Sequence, residues 1–442
     1  MIRYAFTAFV IVLTAWATPA QAGGYDTPIL YTARHMGMGG TAISYVDEAS
    51  ALFHNPAGLG HTAVGSFSLA LSPLTGDIRA TPDSAPGKNG GPINLVSEPA
   101  FAPFFLGGGS YRVSDEVALG FAVYPVASAG AAFKYNPVDY GAGSYLDSDR
   151  INMTKIVFIE ASPGIAFSLP GNIRIGAGYR VSMVTLNREE GAEDNPSLKL
   201  DLKGYNFKGF RVGAQWHKDF ETGFLERIDF GTTYRHKTNT VVSADSAVFL
   251  TDTYGKTEMD FTLPSKIGVG TRLQAASTAL AIDFEWGMNS QNPQSSVLFS
   301  KNNADDVEGE IQANDGDQEL LSLYNWTDAP TIRVGLEREI VLCAKSNRSL
   351  KPRLGYIYDG KTANEKFPTA FGTPPAPTQT YTAGIGYETE SYEFNFAYAF
   401  RSGSTTILAE DIEDNACVTC GDEGDYELNL HGIYVDYTHY FN

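Results

Sequence analysis

From about residue 64 to the C-terminus the chain repeats one device: apolar or aromatic side chains at every second position, with Gly, polar or charged side chains between them. Residues 392–401 carry it most plainly, setting Tyr392, Phe394, Phe396, Tyr398 and Phe400 against Glu393, Asn395, Ala397, Ala399 and Arg401. A period of two is that of a β-strand, whose successive side chains point to opposite faces. A soluble sandwich has the same period, but a packed core would refuse the charges. Residues 278–286 place Leu280, Ile282, Phe284 and Trp286 opposite Asp283 and Glu285, and residues 330–336 place Ile332, Val334 and Leu336 opposite Arg333. One face suits lipid and the other a polar lumen, which is the pattern of a transmembrane β-barrel.

The pattern predicts strands near 64–74, 101–112, 116–127, 153–168, 173–186, 204–218, 227–240, 260–274, 278–290, 326–340, 351–360, 379–388, 392–401 and 426–441. That makes 14, an even number, as single-chain bacterial barrels have. Short linkers (113–115, 169–172, 275–277, 389–391) alternate with long ones (75–100, 128–152, 291–325, 402–425), so the short turns face the periplasm and the long loops the outside. The fold class expected is therefore all-β, a 14-stranded antiparallel barrel over residues 64–442. With 32 Lys and Arg against 51 Asp and Glu, the formal net charge of −19 supplies no basic stripe for phosphates, and nucleic acid is excluded as a partner.

The N-terminus reads as a secretory signal over residues 1–22: a positive start at Arg3, an apolar run from Tyr4 to Ala17, and the small-x-small site Ala20-Gln21-Ala22. No later run reaches the roughly 18 apolar residues that a membrane helix needs. Cleavage would leave Gly23 first. Residues 23–63 break the strand pattern with Gly37, Gly39, Gly40, Asn55, Pro56, Gly58 and Gly60, and form a candidate plug. Small inward positions (Gly176 and Gly178, Gly268 and Gly270, Gly384 and Gly386) would either let a plug touch the wall or simply curve the barrel.

Three stretches resemble the FadL family of outer-membrane transporters of long-chain fatty acids and other hydrophobic compounds, including its toluene-uptake branch. They are Ala33-Arg34-His35-Met36-Gly37-Met38-Gly39-Gly40 with the later Asn55-Pro56-Ala57; Leu263-Pro264 with Gly268, Leu280, Asp283 and Trp286; and Arg353-Leu354-Gly355-Tyr356 with Gly384, Gly386, Tyr387 and Phe396-Ala397-Tyr398. The resemblance implies a hatch in the lumen built from Gly23, Asn55, Pro56 and Ala57, passive diffusion of ligand to an inner site, and a side opening at a kink in the third strand. Tyr124 and Pro125 are the residues to form that kink, since a mid-strand proline has no N–H for the ladder; a plain bulge is the other reading. The family's fatty-acid binders place a lysine just before the tenth strand, where this chain has Thr327. Arg180 and Arg333, with Arg174, Arg211 and Arg272 behind them, could hold a carboxylate instead, or could be structural partners of Asp283, Glu285 and Glu393.

Cys417 and Cys420 form a CxxC in a long acidic loop, where a small disulfide fits an oxidising compartment. The acidic stretch 301–328 could gather divalent cations with surface lipopolysaccharide. His35, His54 and His61 match no metal motif, no catalytic motif occurs, and neither a cofactor nor a metal is expected. The expected partners are a hydrophobic small molecule and outer-membrane lipid, and the expected state is a monomer. A general diffusion porin and an adhesive or structural surface barrel are the alternative functions.

Overall fold

The computed structural model describes residues 31–62, 64–82, 95–136, 149–250, 252–300, 317–343, 347–363, 365–366, 376–412 and 423–441. The signal segment, Gly23, Cys417, Cys420 and most of the acidic stretch 301–328 lie outside these residues.

Fourteen strands form one closed antiparallel barrel. They are β1 (Gly65–Pro82), β2 (Ala100–Arg112), β3 (Val117–Tyr135), β4 (Arg150–Leu169), β5 (Ile173–Ala192), β6 (Asn195–Asp219), and β7 in two pieces (Arg227–Arg235 and Thr238–Ala244). β8 (Thr257–Leu263 and Lys266–Ala275), β9 (Thr278–Gly287 and Gln294–Phe299) and β10 (Gln318–Leu323 and Ala329–Arg338) are likewise divided. β11 (Arg348–Asp359), β12 (Thr378–Glu388), β13 (Tyr392–Ile407) and β14 (Gly424–Phe441) complete it. The last strand returns to the first, from Gly65 opposite Phe441 to Pro82 opposite Gly424.

Toward the short turns the side-chain phase is the expected one. Phe394, Phe396 and Tyr398 are 47, 42 and 40% exposed, whereas Glu393 and Asn395 are buried. Asp283 is buried between the exposed Phe284 and the outward Ile282.

Toward the long loops two expectations need correction. The strands are far longer than predicted: β5 and β6 continue to a tight turn at Ala192 and Asn195, through residues expected to be loop. The lumen there is not polar either. On β6, Leu198, Leu200 and Leu202 are buried, while Lys199, Asp201 and Lys203 are exposed. The outer surface of these strand ends meets water, so the charges face outward and the apolar residues turn in. The exchange falls beside Tyr205 and Phe207, which are 55 and 61% exposed and have the character of an interfacial aromatic belt. Ile156 and Phe158 of β4, Val184 and Leu186 of β5, Phe261 of β8 and Phe299 of β9 continue this apolar inner face. The Phe158 and Phe261 rings, from non-adjacent strands, meet edge to face at 6.3 Å across the lumen.

Residues 31–62 lie within the barrel. They form two short helices, α1 (Ala33–Gly37) and α2 (Ala51–His54), and a 3-10 turn at Pro56–His61. Too short to be stable alone, these pieces are held by the wall. A Cβ added at Gly176 would strike Pro56 and Ala57; at Gly231 it would strike Ile43, and at Gly355, Gly39. The inward glycines thus leave room for backbone to touch backbone.

Candidate functional site

The luminal segment is tied down by single side chains that each serve several backbone groups. Asn55 is buried, and its Nδ2 donates to the carbonyls of Ile43 (2.7 Å), Ala214 of β6 (3.2 Å) and Thr232 of β7 (3.2 Å). Its Oδ1 accepts from Ala57 N–H at 3.1 Å, capping the 3-10 turn that Pro56 begins. From β9, two strands along the same wall, one oxygen of Asp283 accepts from Ala42 N–H and Ile43 N–H at 2.8 and 3.0 Å. Arg34 pairs with Asp47 (2.8 Å) and with Glu393 of β13 (3.3 Å).

Electrostatics within the segment follow from this packing. Burial opposes ionisation of Asp47, but the Arg34 charge and the Tyr45 hydroxyl outweigh it and hold the carboxyl below its usual value. Burial, aided by the Arg174 guanidinium, pushes His61 down to about 3. Burial likewise keeps His54 neutral, well below the ordinary histidine value.

The proposed kink residues sit where the pairing of β2 with β3 ends. β2 and β3 pair from Gly107 opposite Val123 to Arg112 opposite Ala118. Beyond Val123, β3 is paired only with β4 among the described residues, and Ala100–Leu106 of β2 only with β1. Contact resumes where Glu98 N–H donates to the Ala132 carbonyl at 2.7 Å. Pro125 lies just inside this gap, at a register shift against β4 that leaves Val126 as the extra residue. Phe104, Leu106, Tyr124, Val126 and Ala127 flank the gap, all buried.

The luminal segment meets the gap directly. Tyr31 Oη donates to the Pro125 carbonyl at 2.9 Å, and Tyr124 Oη donates to the Leu52 carbonyl of α2 at 3.0 Å. The Tyr31, Phe53 and Tyr124 rings cluster with centroids 5.2 to 6.3 Å apart. The carbonyl beside the proline is thereby satisfied from inside the barrel, which meets the demand that backbone at membrane depth be hydrogen-bonded.

The two foremost arginine candidates are both occupied. Arg180, wholly buried, donates from Nε to both oxygens of Glu160 (2.9 and 3.0 Å) and from Nη1 to the His236 carbonyl (2.8 Å). Arg333 pairs with Glu285 at 3.2 Å. Glu160 was not among the expected acidic partners; it stands directly opposite Tyr124 on the neighbouring strand, and only the β3–β4 register reveals it. Thr327, at the family's lysine place, is exposed and donates to the Thr362 carbonyl at 3.2 Å. The apolar inner face is the part that sequence reading missed, although the run Leu198-Lys199-Leu200-Asp201-Leu202-Lys203 contains the signal.

A closed barrel with a lipid-facing belt, and a lumen occupied by its own N-terminal segment, defines an outer-membrane transport protein. Residues 13–441 match the family described as outer membrane protein transport protein (OMPP1/FadL/TodX), and the chain belongs to it. Among solved structures, a FadL homologue of Pseudomonas aeruginosa aligns over 95% of this chain and 100% of its own, with 15% identity and a TM-score of 0.69. The toluene transporter TodX of Pseudomonas putida aligns over 96 and 100%, with 17% identity and a TM-score of 0.64. The toluene transporter TbuX of Ralstonia pickettii aligns over 93 and 99%, with 16% identity and a TM-score of 0.62. At these identities the likeness is one of fold. No curated protein matches the chain.

Proposed function

We propose that this protein carries a hydrophobic small molecule, a long-chain fatty acid or a hydrocarbon, passively across the outer membrane as a monomer and without catalysis. The ligand enters the apolar inner face toward the long loops, where burial contributes about 0.8 kcal/mol per CH₂. It leaves through the β2–β3 gap, with residues 23–63 acting as the hatch that denies it the straight path. The observation that carries this reading is the meeting, at Tyr124 and Pro125, of the apolar inner face, the luminal segment and the gap in the wall. Arg180 and Arg333 line the path as neutralised pairs, and the ligand contacts them without needing their charge.

The test is uptake of a labelled long-chain fatty acid and of toluene by bacteria that lack such a transporter and express this chain. Uptake of either, with near-zero single-channel conductance in a planar bilayer, supports the reading. Large conductance without selectivity would make the protein a diffusion porin, and uptake of neither compound would leave a surface barrel of another role.

A further inference from the structure

We infer that the outer wall of β4 to β7 carries a binding site for a phosphorylated glycolipid of the outer leaflet, held by Lys155, Lys203, Lys208 and Lys237. The site lies outside the barrel and does not depend on what the lumen carries. All four lysines are exposed. The chain neighbours Thr154, Ile156, Leu202 and Thr238 are buried against the inside, so Lys155, Lys203 and Lys237 stand on the outer face. Lys208 belongs to a bulge in which Phe207 and Lys208 of β6 together face one residue of β5. Among the described residues none of the four has a carboxylate within 4.0 Å.

In a chain with a formal net charge of −19 such lysines stand out. Lys134, Lys199 and Lys256, also exposed on the long-loop side, pair with Glu193 (2.7 Å), Glu189 (3.5 Å) and Glu258 (2.6 Å). Strand register groups the unpaired ones. Lys203 faces Thr185 of β5 on one side and Ser243 of β7 on the other, and Lys155 faces Asn187 of β5, one outward side chain beyond Thr185. Lys237 fills the break in β7 next to His236, whose N–H donates to the Phe210 carbonyl of β6 at 3.0 Å. Asp201, the acid that register places between Lys155 and Lys203, accepts instead from Asn187 Nδ2 at 2.9 Å.

Depth selects the partner. Lys203 Nζ stands 5.4 Å from the ring centroid of Tyr205, and the His236 ring stacks on Phe210 at 4.5 Å, so the cations share the level of the aromatic belt. Toward the short turns the same face continues with Ile159 opposite Met183, and Met183 opposite Tyr205. The ammonium groups therefore stand where lipid chains give way to headgroups, on the side that in such barrels faces outward. Four uncompensated cations there, beside the hydroxyl and amide groups of Thr185, Asn187 and Ser243, suit a phosphate carried on a sugar. The acyl chains of the same molecule would lie along Ile159 and Met183, which a free phosphate cannot use.

Binding of bisphosphorylated lipid A, and of the same lipid with both phosphates removed, to the purified protein in non-ionic detergent tests this by native mass spectrometry. Heat-modifiable gel mobility shows that each variant is a folded barrel. The phosphorylated lipid is expected to bind about tenfold or more tightly than the dephosphorylated one. Lys155→Gln, Lys203→Gln, Lys208→Gln and Lys237→Gln combined should remove most of that difference, while arginine at the same four positions should keep the affinity within about threefold. Glutamine at the paired Lys134, Lys199 and Lys256 should change it by less than about twofold. Equal binding of the two lipids, or equal weakening by both glutamine sets, would overturn the site. Displacement of the lipid by millimolar inorganic phosphate would also overturn it, since the wall would then hold a free anion and not a glycolipid.

Discussion

Tyr31 Oη donates a 2.9 Å hydrogen bond to the carbonyl of Pro125, so a residue of the luminal segment ties itself to the bulged strand. Tyr31→Phe keeps the ring contacts with Phe53 and Tyr124 but orphans this carbonyl, at a local cost of about 1 to 3 kcal/mol. Hydrogen exchange at Tyr124 and Val126 is expected to accelerate, while the melting of the whole barrel stays nearly unchanged. Unaltered exchange there would show that the bond does not hold the kink.

Pro125→Gly restores an N–H at the gap and removes the fixed φ. Uptake is expected to fall more than ligand binding, because the change alters the way out and leaves the apolar inner face intact. Equal losses in both would count against passage through the wall.

Asn55→Ala removes four hydrogen bonds that join the luminal segment to itself and to β6 and β7. Gly176→Val attacks the same packing by steric means, since its Cβ would meet Pro56 and Ala57. Either variant is expected to give a folded barrel with a raised single-channel conductance, the valine more strongly. A conductance as low as that of the unaltered protein would mean that the segment is not what blocks the lumen.

Acid should loosen the same segment. His61 is held at about 3 and His54 well below its ordinary 6.5, so the unfolded chain takes up protons there that the packed segment refuses. Stability of the segment is therefore full above pH 6.5 and declines as pH falls from 6.5 toward about 3; Asp47, itself held below 3.8, adds its loss only at the lower end. Amides of residues 52–59 should exchange faster at pH 4 than at pH 7 after correction for intrinsic rates.

The apolar inner face can be probed apart from the gap. Leu200→Asp places a charge where Leu198 and Leu202 line the lumen, and binding of a hydrophobic ligand should weaken by about tenfold or more. Lys199→Gln, one residue away on the water-facing side, should leave binding unchanged.

The contrast between Asp283 and Leu200 shows how much of this was legible in the sequence. Asp283 lies where lipid touches the wall, so its neighbours Ile282 and Phe284 had to point outward, and the alternation alone gave the strand, its phase and the barrel. Leu200 lies beyond the lipid. There the same alternation has the opposite phase, and a rule of apolar outside and polar inside reads it as loop. The family motif located Asn55, Pro56 and Ala57, but their contacts with Ala214, Thr232 and Gly176 depend on registers set by residues more than a hundred positions away. Glu160 was hidden for the same reason: strand pairing decides which acid meets Arg180.

The seam between β1 and β14 joins Ser68 to Thr438, side chain to side chain at 3.0 Å, across 370 positions of sequence. Until the last eighteen or so residues arrive, the growing sheet therefore has two bare edges, each a row of unpaired donors and acceptors open to wrong partners. The final strand acts as a zip whose two halves are the oldest and the newest parts of the molecule. Loss of even a few C-terminal residues should thus be felt first at Gly65 and Ser66, where the barrel begins, and such a chain would depend on helpers that guard an open edge while it inserts.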